Sequence, residues 1–137
     1  MSIIVDTPIW SSALRRTRTV ESTEAIELAA LIRGGRAILL GPIRQELLSG
    51  VRSSEQFNKL KRALRAFPDF RLRLSDYEEA AACHNTCRSR GIQGSSTDFI
   101  VCAAAKERGL AIYTTDKDFE RYARVLAIKL HQPTTTA

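Results

Sequence analysis

Short apolar runs of strand length alternate with longer stretches of helical periodicity along this chain. Ile3-Ile4-Val5, Ala37-Ile38-Leu39-Leu40 and Leu110-Ala111-Ile112-Tyr113 are continuous and rich in β-branched or aromatic residues, the pattern of strands buried on both faces. Residues from about Glu21 to Arg33 read as an amphipathic helix with Ile26, Ala29, Ala30 and Ile32 inward, stopped by Gly34-Gly35. Gly41-Pro42 turns the second strand into a helix that runs through Glu46 to Leu48 and ends near Gly50. Phe57, Leu60, Leu64 and Phe67 recur at helical spacing with Lys59, Lys61, Arg62 and Arg65 between them, and Pro68 closes that helix.

The second half repeats the alternation. "FRLRL", Phe70 to Leu74, predicts a half-exposed edge strand. Ser75-Asp76-Tyr77-Glu78 has the capping-box form, so a helix is expected from there to about Arg90-Gly91. The polar loop Gly94-Ser95-Ser96-Thr97 leads into a second capped helix from Asp98, stopped by Gly109. Beyond the third strand, a helix from about Lys117 and a last strand at Leu126-Ala127-Ile128 complete the pattern. Apolar strands separated by helices imply an α/β fold whose mostly parallel sheet is covered on both faces. With no internal repeat and no linker, residues 1–131 form one domain and 132–137 a frayed tail.

Composition narrows the chemistry. The chain has 137 residues, enough for a core of its own, and a net charge of +6, which inclines it weakly toward polyanionic partners. Three cysteines, an odd number with no CxxC pair, fit a reducing compartment better than a disulfide framework. No run approaches the roughly 18 apolar residues of a membrane span. The start, Met1 to Asp6, lacks the basic region of a signal peptide, so the expectation is a cytoplasmic protein without a membrane segment.

Carboxylates then gather where such a sheet places its working site, outside the carboxyl ends of the strands near a topological switch point. Asp6 follows the first strand; Asp116 and Asp118 follow the third; Glu46 lies on the helix leaving the second. Asp98 opens the helix that feeds the third strand, where the helix dipole favours an ionised acid. About four negative charges at one edge are costly unless a cation offsets them, and hard divalent ions such as Mg²⁺ and Mn²⁺ favour oxygen ligands. His84 and His131 are the only histidines and neither sits at a predicted strand end, so no Ser-His-Asp or Cys-His arrangement emerges. No Gly-rich phosphate loop of the GxxxxGK[ST] kind is present. Metal-assisted hydrolysis of a phosphodiester is the remaining reading.

"IIVDTPIW", the glutamate of "GPIRQELLSG", "STDFIVCAAAKERG" and "AIYTTDKDF" together resemble the PIN-domain ribonucleases, most closely the VapC-type toxins of bacterial toxin–antitoxin pairs. The resemblance runs from Ile3 to about Phe119. It implies a three-layer α/β/α fold, usually homodimeric, and an endoribonuclease dependent on Mg²⁺ or Mn²⁺. The expected substrate is structured RNA such as transfer RNA, and a small antitoxin silences the enzyme. The family's acidic quartet falls on Asp6, Glu46, Asp98 and Asp116, of which Asp6, Asp98 and Asp116 would hold metal; Asp118 is the accessory acid and Thr114 the polar residue of the same motif. Pro8 stands where relatives commonly carry a serine or asparagine near the metal, leaving Thr7 or Ser11 to supply that hydrogen bond.

Blander readings bound the rest. "CHNTC" puts Cys83 and Cys87 four apart, but on a helix His84 points about 100° away from its neighbour, so these are expected to be core cysteines and a surface histidine. Arg88 and Arg90, just before the Asp98 loop, are candidates for holding an RNA phosphate. A binding module that keeps the PIN fold without cleaving is the alternative, and it would be marked by loss of one of the four acids.

Overall fold

The computed structural model describes residues 1–14 and 22–134. In chain order these form β1 (Ile3–Val5), α1 (Thr7–Leu14), α2 (Thr23–Arg33), β2 (Ala37–Ile38), α3 (Gly41–Leu48), α4 (Ser54–Leu64), α5 (Leu74–Ser89), α6 (Ser96–Arg108), β3 (Ala111–Tyr113), α7 (Asp118–Val125) and β4 (Lys129–Leu130). The sheet has the order β2-β1-β3-β4 with every pair parallel, Ile3 opposite Ala37 and Ala111, and Val5 opposite Tyr113. Successive connections leave β1 toward both edges, so helices cover both faces of the sheet in an α/β/α arrangement. Ile4, Val5 and Ile112 are fully enclosed between the layers, which explains why these strands are apolar throughout. Among the described residues no helix is long and apolar enough to cross a membrane.

Helix ends follow local chemistry. Ser22 caps α2 by accepting from the Ala25 N–H, Ser53 caps α4 through Gln56, and Ser95 caps α6 through the Asp98 N–H. Gly109 ends α6 in the left-handed conformation, φ 65°, which a residue with a Cβ adopts only at a cost. Pro42 sits in the first turn of α3, where no N–H is needed.

Four expectations need correction, and Glu21, the expected start of α2, lies outside the described residues. The face of α2 differs: Leu28 and Leu31 are buried together with Glu27, while Ile32 is 39% exposed and Ile26, Ala29 and Ala30 are only half-buried. Tertiary pairing turns the helix, because the Glu27 carboxylate meets His131 Nε2 at 2.7 Å. "FRLRL" is no strand beyond a single bridge from Phe70 to Leu40. The Arg73 N–H, which a strand would offer a neighbour, instead donates to Asp76 Oδ2 at 2.7 Å and starts α5. The capping acid is therefore Asp76, with Arg73 at the cap position, rather than Glu78 with Ser75. The last strand lies at Lys129–Leu130, just past the expected Leu126-Ala127-Ile128, because α7 continues to Val125.

α5 and α6 are fastened by an ion pair the sequence pattern did not announce. Arg108 approaches Asp76 with two nitrogens, at 2.6 and 2.8 Å, and its guanidinium lies 4.9 Å from the centre of the Phe70 ring. That hydrogen bonding holds the Asp76 carboxyl below its ordinary pKa despite complete burial.

Candidate active site

The register of two strands builds the centre of the site. Val5 lies opposite Tyr113, so the next residues, Asp6 and Thr114, emerge side by side from adjacent strand ends. The Asp6 N–H donates to the Tyr113 carbonyl at 2.9 Å and extends the ladder by one bond, while the Asp6 carbonyl accepts from Ile9 at 3.2 Å and opens α1. One residue thus ends a strand, starts a helix and aims its side chain past the sheet edge.

A chain of short hydrogen bonds follows. Thr114 Oγ1 donates to Asp6 Oδ2 at 2.7 Å and accepts from the Asp116 N–H at 3.0 Å, and Asp116 Oδ1 accepts from the Asp118 N–H at 2.9 Å. Asp98 enters from the first turn of α6, and Tyr122 of α7 donates its hydroxyl to Asp98 Oδ2 at 2.6 Å. Burial and that bond hold the Tyr122 phenol above its ordinary pKa, so it is a standing donor. Glu46 of α3 accepts from Thr7 Oγ1 at 3.2 Å. Of the two residues expected to compensate for Pro8, Thr7 is the one bonded to a site acid, and its backbone N–H also reaches Asp6.

The acids crowd one another. Asp98, Asp116 and Asp118 each offer an oxygen, and these three atoms lie within 4.8 Å of one another. Asp6 stands outside that tight trio, only 4% exposed, linked to it through Thr114. Burial is the main reason the Asp6 carboxyl is pushed up to about 6; the Thr114 and Thr7 hydrogen bonds oppose the rise, and the charges of Asp98 and Asp116 add to it. Among the described residues the ion pair that reaches the trio is Arg121 with Asp118, at 2.6 Å. Both side chains are about half exposed there, so water screens most of it. Such an all-oxygen donor set with a surplus of negative charge fits a hard divalent cation.

Other expected residues are placed as follows. Arg88 and Arg90 close α5 on the exposed surface, with Arg88 Nη2 bonded to Asn85 at 2.9 Å, and among the described residues neither is hydrogen-bonded to a site acid. Cys83, Cys87 and Cys102 are buried free thiols; burial pushes Cys83 up to about 11, far from the thiolate a metal would need. His84 is exposed and stacks on Phe99, ring centres 5.1 Å apart. Tyr122 escaped the sequence reading because a tyrosine on an amphipathic helix looks like core. A groove of about 290 Å³ opens beside Thr114 and Asp116, walled by Glu24, Tyr113, Lys117 and His131.

Comparison with known proteins agrees with the geometry. The PIN domain family model matches residues 3–125, while no curated protein matches the chain. Among solved structures, FitAcB from Neisseria gonorrhoeae is 17% identical with a TM-score of 0.69, over 98% of this chain and 99% of that one. VapBC2 from Rickettsia felis, solved with a DNA fragment from its promoter, is 13% identical with a TM-score of 0.76, over 96% and 98%. VapBC-1 from nontypeable Haemophilus influenzae is 14% identical with a TM-score of 0.74, over 98% and 100%. At these identities the likeness is one of fold.

Proposed function

The chain belongs to the PIN-domain family, and we propose that it is a divalent-metal-dependent endoribonuclease, the toxin of a toxin–antitoxin pair. The observation that carries this reading is the convergence of Asp6, Asp98, Asp116 and Asp118 from three separate places in the chain onto one sheet edge, with a carboxyl pushed up to about 6 among them. Asp98, Asp116 and Asp118 would hold Mg²⁺ or Mn²⁺, with Asp6 beside them and Glu46 oriented by Thr7. Bound there, the cation supplies an activated water and neutralises charge on the phosphate.

The chain's own residues do the rest. Thr114 ties the Asp6 carboxylate to the Asp116 backbone through one hydroxyl, which sets the spacing of the two strand ends. No histidine base is required. The net charge of +6 draws an RNA backbone toward an otherwise acidic edge, and Arg88 and Arg90 are our candidates for phosphate contacts. The substrate class we favour is structured RNA such as transfer RNA, cut by a cytoplasmic homodimer whose cleavage halts translation until a small antitoxin binds. The toxin–antitoxin complexes that share the fold support the antitoxin partner. The alternative, a PIN-fold module without activity, expects a missing acid, yet the chain carries all of Asp6, Glu46, Asp98 and Asp116.

The test is cleavage of total cellular RNA by purified protein with Mn²⁺ or Mg²⁺, followed by chelator and mapping of the cut ends. Metal-dependent cuts at defined sites are expected. Intact RNA, or cleavage that survives the chelator, would overturn the proposal.

A further inference from the structure

Tyr122 is completely buried, yet its hydroxyl ends on a site carboxylate. Its ring is wedged against Phe119 and Phe99, with centres 5.1 and 5.2 Å away, which fixes the phenol's direction. The backbone of the loop before α6 closes over it. A Cβ built at Gly94 would stand 2.3 Å from Tyr122 Oη and 2.9 Å from the Phe99 ring, closer than any real side chain could sit. Gly94 has no positive φ to explain a glycine; the close approach to the phenol does. Loop, α6 and α7 therefore converge on one hydroxyl, and that hydroxyl grips Asp98.

We propose that Tyr122 is a positioning residue for the metal centre: it holds the Asp98 carboxylate in the orientation that meets Asp116 and Asp118, and Gly94 is present to let it in. The inference rests on the metal-dependent reading above. A carboxylate ligand free to rotate must be ordered when the ion arrives, and partners that hold ligands in place commonly account for ten- to hundredfold in metal affinity. A phenol that merely filled the core would leave affinity unchanged when its oxygen was removed.

The experiment is Mn²⁺ titration of the whole protein, read from the electron-spin signal of free Mn²⁺, for wild type, Tyr122→Phe, Asp98→Asn and the double variant. Tyr122→Phe is expected to raise the Mn²⁺ Kd about ten- to hundredfold with a near-unchanged circular dichroism spectrum, and RNA cleavage should recover at saturating Mn²⁺. In the Asp98→Asn background the same substitution should change the Kd no further. A Kd within about twofold of wild type for Tyr122→Phe, or an equal loss in both backgrounds, overturns the inference alone. Wild-type protein that binds no Mn²⁺ overturns the metal reading together with it. Should Tyr122→Phe fold poorly, Gly94→Ala, which keeps the hydroxyl but displaces it, takes its place with the same expected and overturning results.

Discussion

Asp6 and Asp76 are both buried acids, 4% and 0% exposed, and their surroundings push them in opposite directions. Asp76 meets a two-pronged guanidinium from Arg108 and is held below the ordinary carboxylate range. Asp6 meets a hydroxyl, a backbone N–H and two further acids, and is pushed up to about 6. One region is electrostatically closed and fastens α5 to α6. The other keeps a surplus of acid, since among the described residues the ion pair that reaches it is the half-exposed one between Arg121 and Asp118. A fold that solves this problem at one place and leaves it unsolved at another marks the second as the place where a cation from outside belongs.

Four measurements would sharpen or break that contrast, the largest effect first. Asp98→Asn should reduce RNA cleavage to background with the circular dichroism spectrum intact; retained turnover would remove the acid edge from the chemistry. Asp76→Ala, at the closed site, should cost about 3–5 kcal/mol of stability by stranding a largely buried Arg108, measured by urea denaturation. A cost near zero would mean that Arg108 finds water, and the two regions would differ less than their geometry implies. The sign with pH follows from the lowered carboxyl: the Asp76 contribution is present above the ordinary carboxylate pKa and is lost as pH falls through the depressed value.

Mn²⁺ at a hundred times its Kd should stabilise the wild type by about 2.7 kcal/mol, and do so far less for Asp98→Asn, whereas Asp76→Ala should keep the full increment. Calorimetric melts with and without chelator read this directly. The smallest effect is the most diagnostic. In metal-free protein the folded state favours protonated Asp6, so stability present near pH 4 is lost as pH rises through about 6. Asp6→Asn should therefore be more stable than wild type at pH 7 by about 1–3 kcal/mol, with the gap closing toward pH 4. A variant less stable than wild type at both pH values would show that the Thr114 hydrogen bond outweighs the charge.

Much of the fold is legible in the sequence. Ile3-Ile4-Val5-Asp6 and the Ala111–Tyr113 strand with its trailing acids stand where the pattern put them, because an apolar run between helices has few places to go other than the centre of a sheet. Glycines and serines set helix ends through φ angles and side-chain caps, which are local effects. The failures were non-local. α2 carries apolar residues on more than one face, and the face it buries is the one where Leu28 and Leu31 enter the core and Glu27 meets His131, far along the chain. The alternation in "FRLRL" was genuine, but a competing cap at Asp76 claimed the N–H that a strand would have used.

The sequence by itself determined the first three strands, most of the helices between them and the carboxylates at strand and helix ends, since each depends on near neighbours or on residue type. Tertiary structure alone decided that Asp118 joins Asp98 and Asp116 while Asp6 stands one threonine away, that Tyr122 reaches Asp98, and that Asp76 is paired with Arg108. Those outcomes turn on distances of a few ångströms between residues far apart in the chain. Electrostatic and hydrogen-bond energies change steeply over such distances, while hydrophobic periodicity carries no information about them.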